Sequence, residues 1–262
     1  MAIENSGVAG KLGELAGRRA VVTGGSRGIG AAVTRGLVEA GATVVTSARS
    51  EPPHSPPAAA FVTADLSTAA GVRRFADTAL DLMGGVDIIV NNAGGCRSFQ
   101  SVLELENDWQ YTMDINFLAA VRLNAALVPA MRGSGGAIVH VSSIATVAAY
   151  PNLLHYAAAK SALETYSRGL AAELAPDGIR VVSVCLGNVE TPASRRARDQ
   201  IVGPDGGNPD DLIEQWAAEI PLGRLGDPED IAEAVRFLVS PRASWITGSN
   251  VVIDGGKTAS LY

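Results

Sequence analysis

Short apolar runs alternate with longer stretches of helical periodicity along almost the whole chain. The apolar runs are Arg18–Thr23, Thr43–Ser47, Phe61–Thr63, Val86–Val90, Ala137–Val141, Ile179–Cys185 and Asn250–Ile253. Each has the length of a strand. Between the first two, a helical pattern runs to Ala40, and Gly41 marks its C-terminal stop. Further helices are predicted over Thr68–Met83, Asp108–Met131, Leu153–Leu174 and Pro228–Leu238. This alternation predicts an α/β fold, a Rossmann-like doubly wound parallel sheet with helices on both faces.

Two connections break the rhythm. Glu51–Pro57 falls where a crossover helix belongs, and its four prolines forbid one. From Ala193 to Pro221 the chain is long and polar, with glycines at 203, 206 and 207. That predicts a substrate lid over 193–220, in which only Asp211–Ala218 forms a short helix. There is no internal repeat. The 262 residues suit one domain, 1–262, opened by a polar arm over 1–14.

Composition narrows the function classes. Hydrophobic residues are 47 % and charged residues 18 %, so a sizeable core is expected. A net charge of −6 without a long basic run argues against nucleic acid or an anionic membrane as partner. No apolar stretch approaches the roughly 20 residues of a membrane helix. Met1–Gly17 lacks the basic-then-apolar pattern of an export signal, so a cytoplasmic location is expected. Cys96 and Cys185, the only cysteines, suit a reducing compartment and build neither a disulfide framework nor a metal site.

Chemistry enters at the strand ends. Thr23-Gly24-Gly25-Ser26-Arg27-Gly28-Ile29-Gly30 joins the first strand to the first helix. Glycines there admit a pyrophosphate to the backbone, and the helix N-terminus offers unpaired N–H groups. Glycines also make plain turns; the position at the first strand of an alternating chain favours the phosphate reading. Asn91-Asn92-Ala93-Gly94 follows the fourth strand, and read alone is equally a strand-ending turn. Asp65, before Leu66, either accepts from an adenine amino group or caps the helix beginning near Ser67.

Tyr156 and Lys160 stand four apart in a helical run of alanines, so phenol and ammonium share one face. A nearby cation favours the phenolate. Lowering the phenol from about 10 to about 7 takes on the order of 4 kcal/mol. A lone pair of this spacing is also found on ordinary helix surfaces.

Thr23–Gly30, Asp65, Asn91–Gly94, Asn116, Ser143, Tyr156 and Lys160, in this order, closely resemble the short-chain dehydrogenase/reductase family in its short single-domain form. Pro221–Arg224 and Val251–Gly256 are similar to it too, and the resemblance runs from about Leu15 to Gly256. It implies that Tyr156 exchanges a proton with the substrate oxygen, while Lys160 lowers the tyrosine pKa and holds the nicotinamide ribose. Ser143 would bond the substrate oxygen, with Ser142 its rival. Asn116 would anchor a relay water; taken singly, it is as readily a helix-kink or packing residue.

The resemblance places cofactor contacts at Gly24, Ser26, Arg27, Gly28, Ile29, Gly30, Arg49, Asp65, Leu66, Asn92, Ala93, Gly94, Val189 and Thr191, besides Tyr156 and Lys160. Members using NAD carry an acidic residue where this chain has Ala48. Arg27 and Arg49 instead point to NADP(H). Leu186-Gly187 departs from the Pro-Gly usual in the family.

The expected function is hydride transfer between NADP(H) and a carbonyl or secondary alcohol, a ketone or a 3-oxoacyl thioester. A homotetramer is implied, with the Asp108–Met131 and Leu153–Leu174 helices at one interface. The pocket would come from Gly95–Phe99, Ile144–Leu154 and the lid. Arg195, Arg196 and Arg198 would meet an anionic substrate or form a solvated patch. His140 reads as a core histidine, and His155 as a pocket or solvent-facing one. The alternative function is a non-catalytic dinucleotide-binding sensor or scaffold on the same fold.

Overall fold

In the computed structural model the described residues are 13–50, 59–97, 103, 108–148, 150–202, 208 and 210–259. The proline run, most of the N-terminal arm and the lid glycines lie outside them. Seven strands appear: β1 (Arg19–Thr23), β2 (Thr43–Ala48), β3 (Ala59–Thr63), β4 (Ile88–Asn91), β5 (Gly136–Ser143), β6 (Ile179–Leu186) and β7 (Asn250–Ile253). They form one sheet in the order β3-β2-β1-β4-β5-β6-β7, every pair parallel. The order reverses between β1 and β4, which opens a crevice at their C-terminal ends.

Because side chains alternate along a strand, each strand feeds both faces. Val22, Val44, Val90 and Val139 pack against α1 (Gly28–Glu39) and α8 (Pro228–Val239), through Val33, Leu37, Ile231 and Val235. Val21, Val45, Ile89 and Ile138 face the other way. They meet Phe75 of α2 (Ala69–Met83), Leu123 and Leu127 of α4 (Ala119–Met131) and Leu174 of α5 (Leu154–Leu174). Burial on both faces explains why the strands read as unbroken apolar runs.

Two elements differ from expectation. The stretch Asp108–Met131 is not one α-helix: α3 (Asp108–Met113) runs into a π-helical turn at Asp114–Leu118, and only then into α4. Asn116 sits in that turn. Residues following Thr191 form a helix, α6 (Pro192–Val202), where a polar loop was expected. Its start is capped reciprocally: Ser194 N donates to Thr191 Oγ1 at 3.0 Å, and Thr191 N donates to Ser194 Oγ at 2.8 Å. Pro192 occupies the first helical position, where its missing N–H costs nothing. This capping signal was present in Thr191-Pro192-Ala193-Ser194 and outweighs the polar composition. Asp211–Ala218 is helical as expected, as α7.

Leu186 has a structural use. It extends β6 by pairing with Ser143 on one side and Ile253 on the other. Gly187 N then donates to Ile253 O at 3.0 Å, so the sheet ladder holds this turn in place of a proline ring.

Candidate active site

The glycine turn closes the end of β1. Gly24 and Gly28 have φ of 75° and 56°, a region that side chains other than glycine's rarely adopt. A Cβ on Gly30 would fall 2.2 Å from Gly24 O, so only hydrogen lets α1 sit down on the turn. Arg27, before α1, is extended and gives no side-chain cap. The first N–H groups of the helix are thereby left to a ligand. Ser26 and Ile29 are half-buried beside them.

The loop after β4 is sewn to the same turn. Asn92 N and Ala93 N both donate to Thr23 Oγ1, at 2.9 and 2.8 Å, and Asn92 Nδ2 donates to Thr23 O at 2.8 Å. Gly94 lies over the next layer. A Cβ there would stand 2.6 Å from Asn116 Oδ1 and 3.1 Å from Lys160 Nζ. Asp65 receives Ser67 N and Ser67 Oγ on Oδ1, at 3.0 and 2.8 Å, and these bonds hold its pKa down. Helix α2 is capped by Thr68 instead, through Gly71 N. Leu66 is buried beneath.

On the far side Val189 bridges to Gly226, while Thr191 and Pro192 press on the glycine turn. A Cβ at Gly28 would be 3.4 Å from Thr191 Cβ and 3.8 Å from Pro192 Cδ. Arg27 and Arg49 are exposed at the outer edge of this crevice, and Ala48 leaves no carboxylate at the end of β2.

Tyr156, Lys160, Ser143 and Asn116 come together from three elements: α5, the end of β5 and the π turn. The Ser143 hydroxyl is near enough to that of Tyr156 to favour the ionised phenol. Ser142, the rival, is committed elsewhere, donating to Glu164 Oε1 at 2.5 Å. The half-turn between adjacent strand residues separates the two serines onto opposite faces.

The electrostatics reverse one expectation. Burial pushes the Tyr156 phenol up to about 12, with the Ser143 hydroxyl working against it. Lys160 Nζ donates to Val141 O at 2.8 Å and stands 5.7 Å from the tyrosine ring centre. Burial also lowers Lys160 to about 8, opposed by the Glu164 carboxylate one helical turn along. Desolvation therefore outweighs the pair attraction in this state.

Asn116 is an anchor by its side chain. Oδ1 accepts from Gly95 N at 2.8 Å, and Nδ2 donates to Gly95 O at 2.9 Å and Thr112 O at 3.0 Å. These bonds, with its place in the π turn, fit the helix-kink reading. A cavity of about 10 Å³ adjoins Asn116, Ile115 and Thr23, at the lower limit for one water.

The histidines divide as follows. His140 is fully buried between Asn124 Nδ2 at 2.9 Å and Ser167 Oγ at 3.0 Å, a core residue as expected. His155 is also fully buried, with Nε2 3.4 Å from Cys96 Sγ and its ring edge-on to Trp109. Solvent exposure is thus excluded for it. Arg195 and Arg198 are tied to Glu190, by bonds of 2.6 Å and of 2.7 and 3.0 Å. Glu164 and Glu190 escaped the sequence reading. For Glu164 the signal was its place four residues after Lys160 on the same helical face.

A family model described as enoyl-(acyl carrier protein) reductase matches residues 24–258. The oxidoreductase UcpA of Salmonella typhimurium is 34 % identical over 257 residues, which cover 94 % of this chain and 97 % of that one. The human dehydrogenase/reductase SDR family member 4 is 36 % identical over 259 residues, 94 % of this chain and 90 % of that protein. Among solved structures, L-sorbose reductase from Gluconobacter frateurii complexed with NADPH and L-sorbose superposes with a TM-score of 0.84 at 32 % identity, covering 94 % of this chain and 98 % of the other. With the glycine turn, the parallel sheet and these relatives in agreement, the chain belongs to the short-chain dehydrogenase/reductase family of oxidoreductases.

Proposed function

We propose that the protein is an NADP(H)-dependent reductase of a carbonyl substrate, a ketone or a 3-oxoacyl thioester, with Tyr156 as proton donor. The observation that carries this reading is the convergence of Tyr156, Ser143 and Lys160 beside the glycine turn. The described residues fit a dinucleotide. The turn has no room for a side chain at Gly30, the α1 N-terminus is uncapped, and the exposed Arg27 and Arg49 would hold a 2′-phosphate. When bound, the cofactor supplies a hydride.

The chain's own groups supply the rest. As the carbonyl carbon receives hydride, an electron pair moves onto the carbonyl oxygen. Tyr156 Oη gives that oxygen its proton, and the product is a secondary alcohol. A phenol held near 12 carries its proton at neutral pH, which suits the reductive direction. Ser143 Oγ is the second donor to the developing charge. Lys160, near 8 and so mostly cationic at pH 7, is placed to hold the ribose and to restore the phenol proton. Asn116 fixes Gly95 and the floor of the site.

The test is a panel of ketones and β-ketoacyl thioesters with NADPH consumption as readout. Tight NADPH binding without turnover of any member would favour the non-catalytic sensor. Cofactor choice is tested separately. Ala48→Asp combined with Arg49→Ala should move kcat/KM toward NADH, adding repulsion and removing attraction. Each lost charge-assisted bond corresponds to roughly a 10- to 100-fold change. Equal kcat/KM for NADPH and NADH in the wild-type protein would remove the phosphate-reading role of Arg27 and Arg49. We also propose a homotetramer using the α4 and α5 faces, which light scattering would size.

A further inference from the structure

We infer that Arg196, on α6, is a third cation for the cofactor's 2′-phosphate, reaching the site of Arg27 and Arg49 from the lid side. The inference rests on the NADP(H) reading and adds a residue from the segment expected to serve the substrate.

The placement follows from how α6 is held. Its first residue, Pro192, packs on the glycine turn, with Cδ 3.8 Å from the Cβ position of Gly28. Arg196 is four residues on, so it continues along that same helical face. The rotation of the helix is fixed from the opposite side. Glu190 accepts Arg195 Nε at 2.6 Å and Arg198 Nη1 at 2.7 Å, and Arg198 is only 3 % exposed. On a helix turning about 100° per residue, Arg196 points roughly 100° from Arg195 and 160° from Arg198. It therefore cannot join the Glu190 cluster.

Its helical face is the one that Pro192 sets against the glycine turn, within electrostatic reach of Arg27. Among the described residues, Arg27, Arg49 and Arg196 have no carboxylate at ion-pair distance, while the other lid arginines do. The mutual approach is felt at Arg27, whose pKa is lowered first by burial and then by Arg196 and Arg49. The Asp65 carboxylate acts on Arg49 alone of the three, so the guanidinium groups still repel one another on balance, and an anion among them turns that cost into attraction. A phosphate monoester, with about −1.5 to −2 charges and three acceptor oxygens, matches this set better than a single carboxylate. The consequence is that a cofactor carrying the 2′-phosphate also anchors α6, whereas one lacking it does not.

Calorimetric titration with 2′,5′-ADP and with ADP separates the possibilities, because only the first carries the 2′-phosphate. Arg196 is exposed, so Arg196→Ala should fold normally. It should weaken 2′,5′-ADP by roughly 10-fold and change ADP by less than about twofold. Arg196→Lys should recover part of the loss, and Arg196→Glu should deepen it. A wild-type preference for 2′,5′-ADP that persists undiminished in Arg196→Ala overturns this inference while leaving the NADP(H) reading intact. Equal weakening of both ligands overturns it in favour of a pyrophosphate or lid role. No wild-type preference for 2′,5′-ADP would overturn the NADP(H) reading and this inference together.

Discussion

Replacing Tyr156 with phenylalanine is expected to leave cofactor affinity unchanged and to cut kcat by at least about 100-fold. The ring stays, so packing against its neighbours in the site is kept. Only the oxygen that gives its proton to the substrate is lost. Loss of a positioned general acid is typically worth 10²–10⁴-fold. Ser143 alone cannot take over, since its hydroxyl is a donor to the developing charge without a lysine to replenish it. The measurement pairs kcat at saturating substrate with a cofactor titration of the variant. A rate above about a hundredth of wild type, with binding intact, would move the acid to another group. A variant that loses cofactor binding instead would show that the phenol holds the ribose more than it serves the proton.

The second large effect is acid lability centred on His140. Burial, helped by the charge of Lys160, lowers this imidazole from 6.5 to about 3. Its Nε2 lies 2.9 Å from Asn124 Nδ2. A proton added there would point a second donor at an amide N–H, with Asn124 Oδ1 already occupied by Asn91 Nδ2. The unfolded chain, by contrast, binds that proton near pH 6.5. Between about 6.5 and 3 the unfolded state thus holds more protons, so stability falls as pH falls through this window. Above 6.5 both states are neutral and the effect is absent.

At about 1.36 kcal/mol per unit, the full window amounts to roughly 5 kcal/mol, and the part down to pH 4.5 to about 3. Against a typical total of 5–15 kcal/mol, that decides whether the fold survives mild acid. His155 is lowered by burial as well and adds in the same direction. Asp87, held down by Arg19, contributes only nearer pH 4. Urea unfolding at pH 7, 5.5 and 4.5 measures this. His140→Asn should be less stable at pH 7, yet lose markedly less between pH 7 and 4.5. A wild-type free energy that is flat from 6.5 to 4.5 would sink the assignment.

The sequence by itself determined the sheet, its helices and the order of the site along the chain. Those features follow from short-range rules: alternation of apolar runs, glycines where φ must be positive, and caps at the starts of α2, α6 and α8. Helix α7 was legible to its end residues, and α6 was legible in its capping signal, although polar composition hid it. The pairing of Tyr156 with Lys160 on one face was legible from a spacing of four. What that pairing does was not. Whether the phenol rises or falls depends on how much water the fold removes and on where Nζ points, toward Val141 O. The family spacing favoured Ser143 over Ser142; what occupies Ser142, the carboxylate of Glu164 twenty-two residues further along, only the fold shows. The three lid arginines are nearly adjacent in sequence, yet Glu190 takes two and leaves the third toward Arg27. Periodicity and turn chemistry act over a few residues, whereas desolvation and charge pairing are sums over neighbours in space. Only the tertiary structure supplies those neighbours.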